Sequence, residues 1–326
     1  MKGVILINLG TPDAPTKKAV GRYLLEFLSD KRVLQMPALL RAILVRIIVF
    51  FRSKKSAEAY RTIWTDQGSP LIVNANLLRD RLQESLGDGY WVETAMRYQN
   101  PSIESALSKL AGCEEIIVIP LYPQYAASTY GSTVDYVYEK AAGFHRVLPV
   151  KVIPPFYDNP DFISAWVEVA GEQIKEFNPD HTVISFHGLP ESQVTKASPA
   201  CSLGSCCDRP KDQIKTCYRA QCYQTAKSMA SGLGIEDYTV TFQSRLGPTK
   251  WLQPYTDQVL TKLAGTTKKV AVICPAFVSD NLETLEEIKV GEKERYIDAG
   301  GEDLMCVSSL NDHRAWVDCL KNMILS

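Results

Sequence analysis

The 326-residue chain lacks a strong charge of either sign, with 36 Lys and Arg against 37 Asp and Glu. Without a basic excess it cannot neutralise many phosphates, which excludes nucleic acid as its main partner. A long apolar run is also missing. The most apolar stretch, residues 36–51, is interrupted by Arg41 and Arg46 and followed by Arg52, Lys54 and Lys55. That falls short of the ~20 apolar residues of a membrane span, and a core-facing helix with its Arg side chains turned outward is the simpler expectation. The apolar start, Val4 to Ile7, breaks at Gly10-Thr11-Pro12, too early for a secretory signal, so a buried first strand in a cytoplasmic chain is expected. Neither a Gly-x-Gly-x-x-Gly turn nor a Walker loop is present, which removes support for dinucleotide or P-loop binding. Histidine is scarce, at four residues. What the chain does have is 45% hydrophobic residues, enough to exclude disorder, and length for about two domains at roughly 100–200 residues each.

Short β-branched runs recur at 3–9, 90–96, 115–121, 149–154, 182–186, 238–243, 269–274 and 304–308, separated by longer helical stretches. Most are continuously apolar rather than alternating, as suits strands buried on both faces of a parallel sheet. The expected fold class is α/β. Two internal echoes divide the chain. Leu9-Gly10-Thr11-Pro12 after the first run is matched by His187-Gly188-Leu189-Pro190, and Val118-Ile119-Pro120 by Val272-Ile273-Cys274-Pro275. They predict two similar domains joined near 145–180, with ligand binding in a cleft beyond the carboxyl ends of the strands.

His187 is the only histidine that directly follows an apolar run, where an imidazole would face such a cleft as base or metal ligand. A histidine merely hydrogen-bonded in a turn is the competing expectation. His145, His181 and His313 are expected at the surface. After the run at 269–274, Asp280 with Glu283 three residues on has the form of a capping box. Glu283 and Glu287, four apart on one helix, would make an acidic track able to hold a cation or relay protons. Five of the nine cysteines, Cys201, Cys206, Cys207, Cys217 and Cys222, crowd into one 22-residue window. In a cytoplasmic chain that points to metal or iron-sulfur ligation rather than disulfides, although the spacing matches neither a zinc ribbon nor a ferredoxin. Cys113, Cys274, Cys306 and Cys319 are expected as core residues.

From end to end the chain resembles the ferrochelatases. The resemblance is carried by Asn8-Leu9-Gly10-Thr11-Pro12, Tyr60 with Gly68-Ser69-Pro70, Met96-Arg97-Tyr98, and Tyr122-Pro123-Gln124-Tyr125 with Ser128-Thr129. It continues through Ser185-Phe186-His187-Gly188-Leu189-Pro190, Phe242 to Gly247 with Trp251 to Asp257, and Phe277 to Leu285. The resemblance implies two Rossmann-like domains, each a mainly parallel sheet flanked by helices, chelatase-like: 1–150 with a lip over the porphyrin, and 151–309 with the catalytic pair and the Cys-rich insertion 201–222. A C-terminal helix at about 310–326 would pack back on the first domain. The implied activity is insertion of Fe²⁺ into protoporphyrin IX to form protohaem, with coproporphyrin as the alternative substrate. His187 and Glu283 would be catalytic and hold the incoming iron, and Glu287 would extend the acidic path. Tyr60, Ser69, Arg97, Tyr98, Tyr125, Trp251 and Phe277 would bind the porphyrin.

Two departures from the family pattern matter. Asn281 stands where many members carry a second His, and Ala127 stands where many place a first cluster cysteine. The insertion therefore resembles the internal 2Fe-2S site of a bacterial subgroup, with Cys201, Cys206, Cys207 and Cys217 as ligands and Cys222 as alternative. Residues 36–51 then map to the porphyrin lip, with peripheral contact to the inner membrane as a further expectation. A two-domain solute-binding module or an iron-sulfur sensor would share the architecture, but neither needs His187 and Glu283 together.

Overall fold

Eight strands form where the apolar runs predict them, in a computed structural model that describes residues 1–326 apart from the side chain of Lys211. The chain divides into two compact units. One comprises Met1–Tyr122, Ala127–Pro155 and Leu320–Ser326; the other comprises Pro123–Ala126 and Phe156–Cys319.

In the first unit β1 (Lys2–Gly10), β2 (Tyr90–Tyr98), β3 (Ile116–Pro120) and β4 (Val150–Val152) form a parallel sheet in the order β2-β1-β3-β4. In the second, β5 (His181–His187), β6 (Tyr238–Gln243), β7 (Lys269–Ile273) and β8 (Asp303–Cys306) repeat that order as β6-β5-β7-β8, again all parallel. The two internal echoes thus fall on equivalent strands: β1 with β5, and β3 with β7.

The central strands are continuously apolar because helices cover both faces. Val4 to Ile7 and Ile116 to Ile119 are buried, and Ile5, Ile7 and Val118 pack on Leu107 of α4 (Ile103–Lys109) and Val137 of α5 (Ser132–Ala141). In the second unit Val183, Val270 and Val272 pack with Leu260 of α9 (Thr256–Leu263) and Tyr296 of α10 (Lys293–Asp298). Ile288 joins that core from the helical turn preceding α10, anchoring to the sheet the same stretch that carries Glu283 and Glu287. Local rules set the element ends. In α6 (Pro160–Phe177) Asn159 caps the N-terminus by accepting from the amides of Asp161 and Phe162, Pro160 fills the first turn, and Asn178 closes the helix in the left-handed conformation.

Two expectations, for α2 and for His181, are corrected. α2 (Ala38–Ile63) does not turn its apolar face to the core: only Val45, Ser53, Ala57 and Tyr60 are buried, while Leu39, Leu40, Ile43, Ile47, Phe50 and Phe51 are half or more exposed. Its Arg side chains bend back onto backbone carbonyls, Arg41 to Met36 at 3.0 Å and Arg46 to Ala42 at 2.9 Å, instead of reaching away from an inward apolar face. No described helix is long and apolar enough to cross a membrane. His181 begins β5 and is largely covered, with Nε2 2.9 Å from the Thr239 hydroxyl. α11 (Arg314–Leu325) is divided between the units, grouping with the second through Cys319 and with the first from Leu320, where Lys321 Nζ donates to the Ser85 carbonyl at 2.7 Å.

Candidate functional site

In the second unit the chain runs from β5 to β6 on one side, then reverses to place β7 on the other, so the topological switch point lies between β5 and β7. Ligands of open α/β sheets bind beyond the carboxyl ends of strands at such a point. His187 is the last residue of β5, and the segment leaving β7 delivers Phe277 and then Glu283. The His187 ring lies 6.2 Å from the Phe277 ring and 6.5 Å from the Trp251 ring, centroid to centroid.

The tautomer of His187 follows from its partner. Nδ1 is 2.6 Å from the Gly188 carbonyl, which only accepts, so Nδ1 carries a proton and, in the neutral ring, the lone pair lies on Nε2. Around this turn the backbone is fixed: the Gly188 amide donates to Gln243 at 2.7 Å, and the Tyr218 hydroxyl donates to the His187 carbonyl at 2.7 Å. Glycine is required at 188 by close approach, since a Cβ there would lie 2.8 Å from the Gln243 carbonyl oxygen and 3.2 Å from Trp251.

The two carboxylates sit on a π-helix, Glu283–Glu292, not on the α-helix that the sequence pattern predicts. Its start is capped by Asn281, whose Oδ1 accepts from the Glu283 and Thr284 amides at 3.0 and 3.1 Å. Asp280, expected as the cap, instead accepts from the Thr284 hydroxyl, the Asn311 amide group and the Ser309 backbone. Asn281 thereby has a structural role. An i→i+5 ladder has about 4.4 residues per turn, placing Glu287 roughly 33° from Glu283 around the helix and Glu292 roughly 16° from it. In an α-helix Glu292 would fall on the opposite side.

Burial pushes the Glu283 carboxyl above the ordinary carboxylate range, against the opposing pull of His187. Burial likewise raises Glu287, reinforced by Glu283 and opposed by Ser244, which clamps it through its amide at 3.0 Å and its hydroxyl at 2.5 Å. Glu287 and Glu292 line one cavity of 220 Å³ together with Ser244, Arg245, Asp257 and Arg295. Burial also raises Glu292, to about 7. Only one of its oxygens is paired, with Arg295 at 2.6 Å; the other has no partner among the described residues. Ser244, Glu292 and Tyr218 are the residues sequence reasoning missed. Only Ser244 lay in a family-like block, and its link to Glu287 spans 43 residues.

The other expected site residues fall within their own units. Trp251 is buried, its indole donating to the Leu246 carbonyl at 2.9 Å, and the Tyr125 amide donates to Gln221 at 2.6 Å. In the first unit Tyr60, Ser69 and Tyr98 are buried. Ser69 bonds Thr11 at 2.9 Å. Arg97 donates to Asp30 at 2.7 Å and to Ser132 at 2.9 Å, and Tyr98 donates to Asp30 at 2.9 Å. Burial alone would raise the Asp30 carboxyl, but Ser132, the Arg32 amide, Arg97 and Tyr98 together hold it below its usual value. Tyr98, 1% exposed with its hydroxyl committed to Asp30, is packed as a core residue.

All five clustered cysteines are free thiols. Cys206 Sγ is 3.9 Å from Cys201 Sγ, and Cys217 is a further hydrogen-bond neighbour of Cys201. Cys207 accepts from Arg219 at 2.6 Å. Cys222 is fully buried against Tyr218. Among the described residues no three His, Cys, Asp or Glu are already gathered as a metal-holding group.

The two parallel four-stranded sheets flanked by helices are the fold of a metal chelatase. In structure the chain is similar to SirB from Bacillus subtilis, solved with Fe³⁺, at a TM-score of 0.54 and 12% identity, covering 99% of this chain and 94% of that one. The ferrochelatase family model matches residues 1–326. The chain is 43% identical to the ferrochelatase of Coxiella burnetii (strain Dugway 5J108-111) over 98% of its own length and 92% of that protein. It is 40% identical to that of Legionella pneumophila (strain Paris) over 99% and 98%. The chain belongs to the ferrochelatase family of metal-chelatase lyases.

Proposed function

We propose that the protein inserts Fe²⁺ into protoporphyrin IX, with His187 and Glu283 as the catalytic pair. The reaction releases two pyrrole N–H protons as one Fe²⁺ enters, so it needs acceptors that take protons near neutral pH and release them. The carrying observation is the Nδ1–H bond of His187 to Gly188, which in the neutral imidazole places the lone pair on Nε2. The raised carboxyl of Glu283 suits proton exchange, and Glu287, clamped by Ser244, extends the path. The two residues can also ligand the incoming iron, a neutral imidazole and a carboxylate being suitable donors for it. Trp251 and Phe277 beside His187 offer apolar faces to the macrocycle. Tyr60, Ser69, Arg97, Tyr98 and Tyr125 are assigned to porphyrin binding by resemblance alone; of these, the buried Tyr98 would act by holding its neighbours. Anaerobic incubation with protoporphyrin and Fe²⁺ tests the reading. A haem spectrum that disappears in His187→Ala is expected; undiminished turnover in that variant refutes the assignment, and faster turnover of coproporphyrin replaces the substrate.

The donor chemistry of the insertion suits a 2Fe-2S cluster held by Cys201, Cys206, Cys207 and Cys217. The first two sulfurs are already adjacent, with Cys217 beside them, while Cys222 lies fully buried on α8 (Tyr218–Leu233). A cluster would supply a redox-active centre, with Arg219 as a fixed positive charge beside Cys207. The absorption bands of thiolate-ligated iron in anaerobically purified protein test this, and colourless, fully active protein refutes it. The protein is assigned to the cytoplasm. The exposed apolar side of α2, flanked by Arg52, Lys54 and Lys55, suits peripheral contact with an anionic inner-membrane surface through residues 36–51.

A further inference from the structure

We propose that Tyr218 is a positioning residue through which the Cys-rich segment 201–217 fixes the backbone of His187. The inference rests on the reading of His187 as the proton acceptor. Tyr218 opens α8 directly after Cys217 and is buried, and its hydroxyl donates to the His187 carbonyl at 2.7 Å. The β5–β7 ladder ends three residues earlier, at Ile184 opposite Ile273, and the Gly188 amide is already committed to Gln243. Tyr218 therefore holds one side of the 187–188 peptide while β6 holds the other. That peptide supports the Gly188 carbonyl that sets the His187 tautomer.

The same first turn of α8 grips the Cys-rich segment at several points. Arg219 donates to the Gly204 carbonyl at 2.9 Å and to Cys207 at 2.6 Å. Gln221, fully buried, donates to the carbonyls of Ile214 and Lys215 at 3.2 and 2.8 Å and accepts from the Tyr125 amide. Cys222 lies against the Tyr218 hydroxyl from the next turn. A rearrangement of the segment, by oxidation or by a change of sulfur ligation, must shift this turn. Among the described residues, its hydrogen bond to the strand end at His187 is that of Tyr218. The shift would be read as a change in His187 orientation rather than as loss of the fold, because β5 keeps its ladders to β6 and β7.

A double-mutant cycle on the full-length protein tests the coupling, using Tyr218→Phe, Cys217→Ser and the pair. Two quantities are read: kcat and KM for the porphyrin, and the His187 resonance in protein labelled with carbon-13 at histidine Cε1, identified by its loss in His187→Ala. Tyr218→Phe is expected to lower kcat about fivefold, the usual scale of one hydrogen bond, with KM unchanged, and to move the His187 resonance. Cys217→Ser should move it in the same direction, and the double variant no further than Tyr218→Phe alone. An unmoved resonance in Tyr218→Phe overturns the proposal, as does a full Cys217→Ser shift persisting in the Tyr218→Phe background. If Cys217→Ser does not fold, Arg219→Gln loosens the same segment and takes its place. Undiminished turnover in His187→Ala would remove the catalytic reading, while the resonance cycle would still decide the coupling.

Discussion

Replacing Glu292 by glutamine should stabilise the second unit by an amount that grows as pH rises from about 4.5 to about 7 and is constant above. The carboxyl is 5% exposed, lies in the cavity shared with Glu287, and is raised from the ordinary value of 4.5 to about 7. The sign follows from proton binding. Between these two values the native state holds a proton that the unfolded chain releases, so stability falls as pH rises through the window and the cost stays constant above it. A separation of that size at 1.36 kcal/mol per unit is about 3 kcal/mol. That figure already contains the opposing pull of Arg295, whose side chain is 65% exposed, and a glutamine carbonyl can still accept from it, so the substitution removes the cost with little further loss. The gain at pH 8 is therefore about 3 kcal/mol, falling to about zero at pH 4.5. Amide hydrogen exchange of buried β5 and β7 residues, normalised for intrinsic exchange, reports that unit alone. Equal protection changes at both pH values, or a loss at pH 8, would refute the reasoning.

Ser244→Ala removes the hydroxyl that favours ionised Glu287. The Glu287 carboxyl should rise further, displacing the acid limb of the kcat profile to higher pH, as measured by haem formation across a pH series. Asp30→Ala leaves Arg97 buried without its carboxylate and should destabilise the first unit by about 3–5 kcal/mol, measured by the same exchange method on β1 amides. Phe50→Asp with Phe51→Asp should weaken binding to anionic vesicles by more than about tenfold in a flotation assay without altering stability, since both rings are about seven-tenths exposed.

The strands were legible because a strand covered on both faces must be continuously apolar, and Val4 to Ile7 or Val270 to Ile273 have no other reading in a chain of this length. His187 was legible for the related reason that a titratable residue ending such a run sits at a strand's carboxyl end. α2 was not. Its mixture of Leu, Ile, Phe and Arg has the same pattern whether the apolar side faces a core or a solvent-exposed surface, and only tertiary packing distinguishes them. The cap at 281 was missed because Asp and Asn cap equally well in sequence terms. What separates them is Asn311, which claims the Asp280 carboxylate from 31 residues away.

The π-helix is where local pattern reasoning had the wrong period. Glu283 and Glu287 share a side of the helix whether the ladder is α or π, so the pair could be read without knowing which. Glu292 could not, because nine residues amount to about half a turn out of phase at 3.6 residues per turn and almost in phase at about 4.4. The wider ladder thus converts two neighbouring carboxylates into a line of three, of which Glu287 and Glu292 share a cavity. Ile288, packed into the sheet core from the middle of that stretch, fixes the rotation of the line relative to β7. A return to α geometry after residue 287 would therefore have to carry Glu292 away from Glu287 or draw Ile288 out of the core. The cost of that second change explains why a carboxyl raised by burial remains inside: the packing that holds Ile288 in place also holds Glu292.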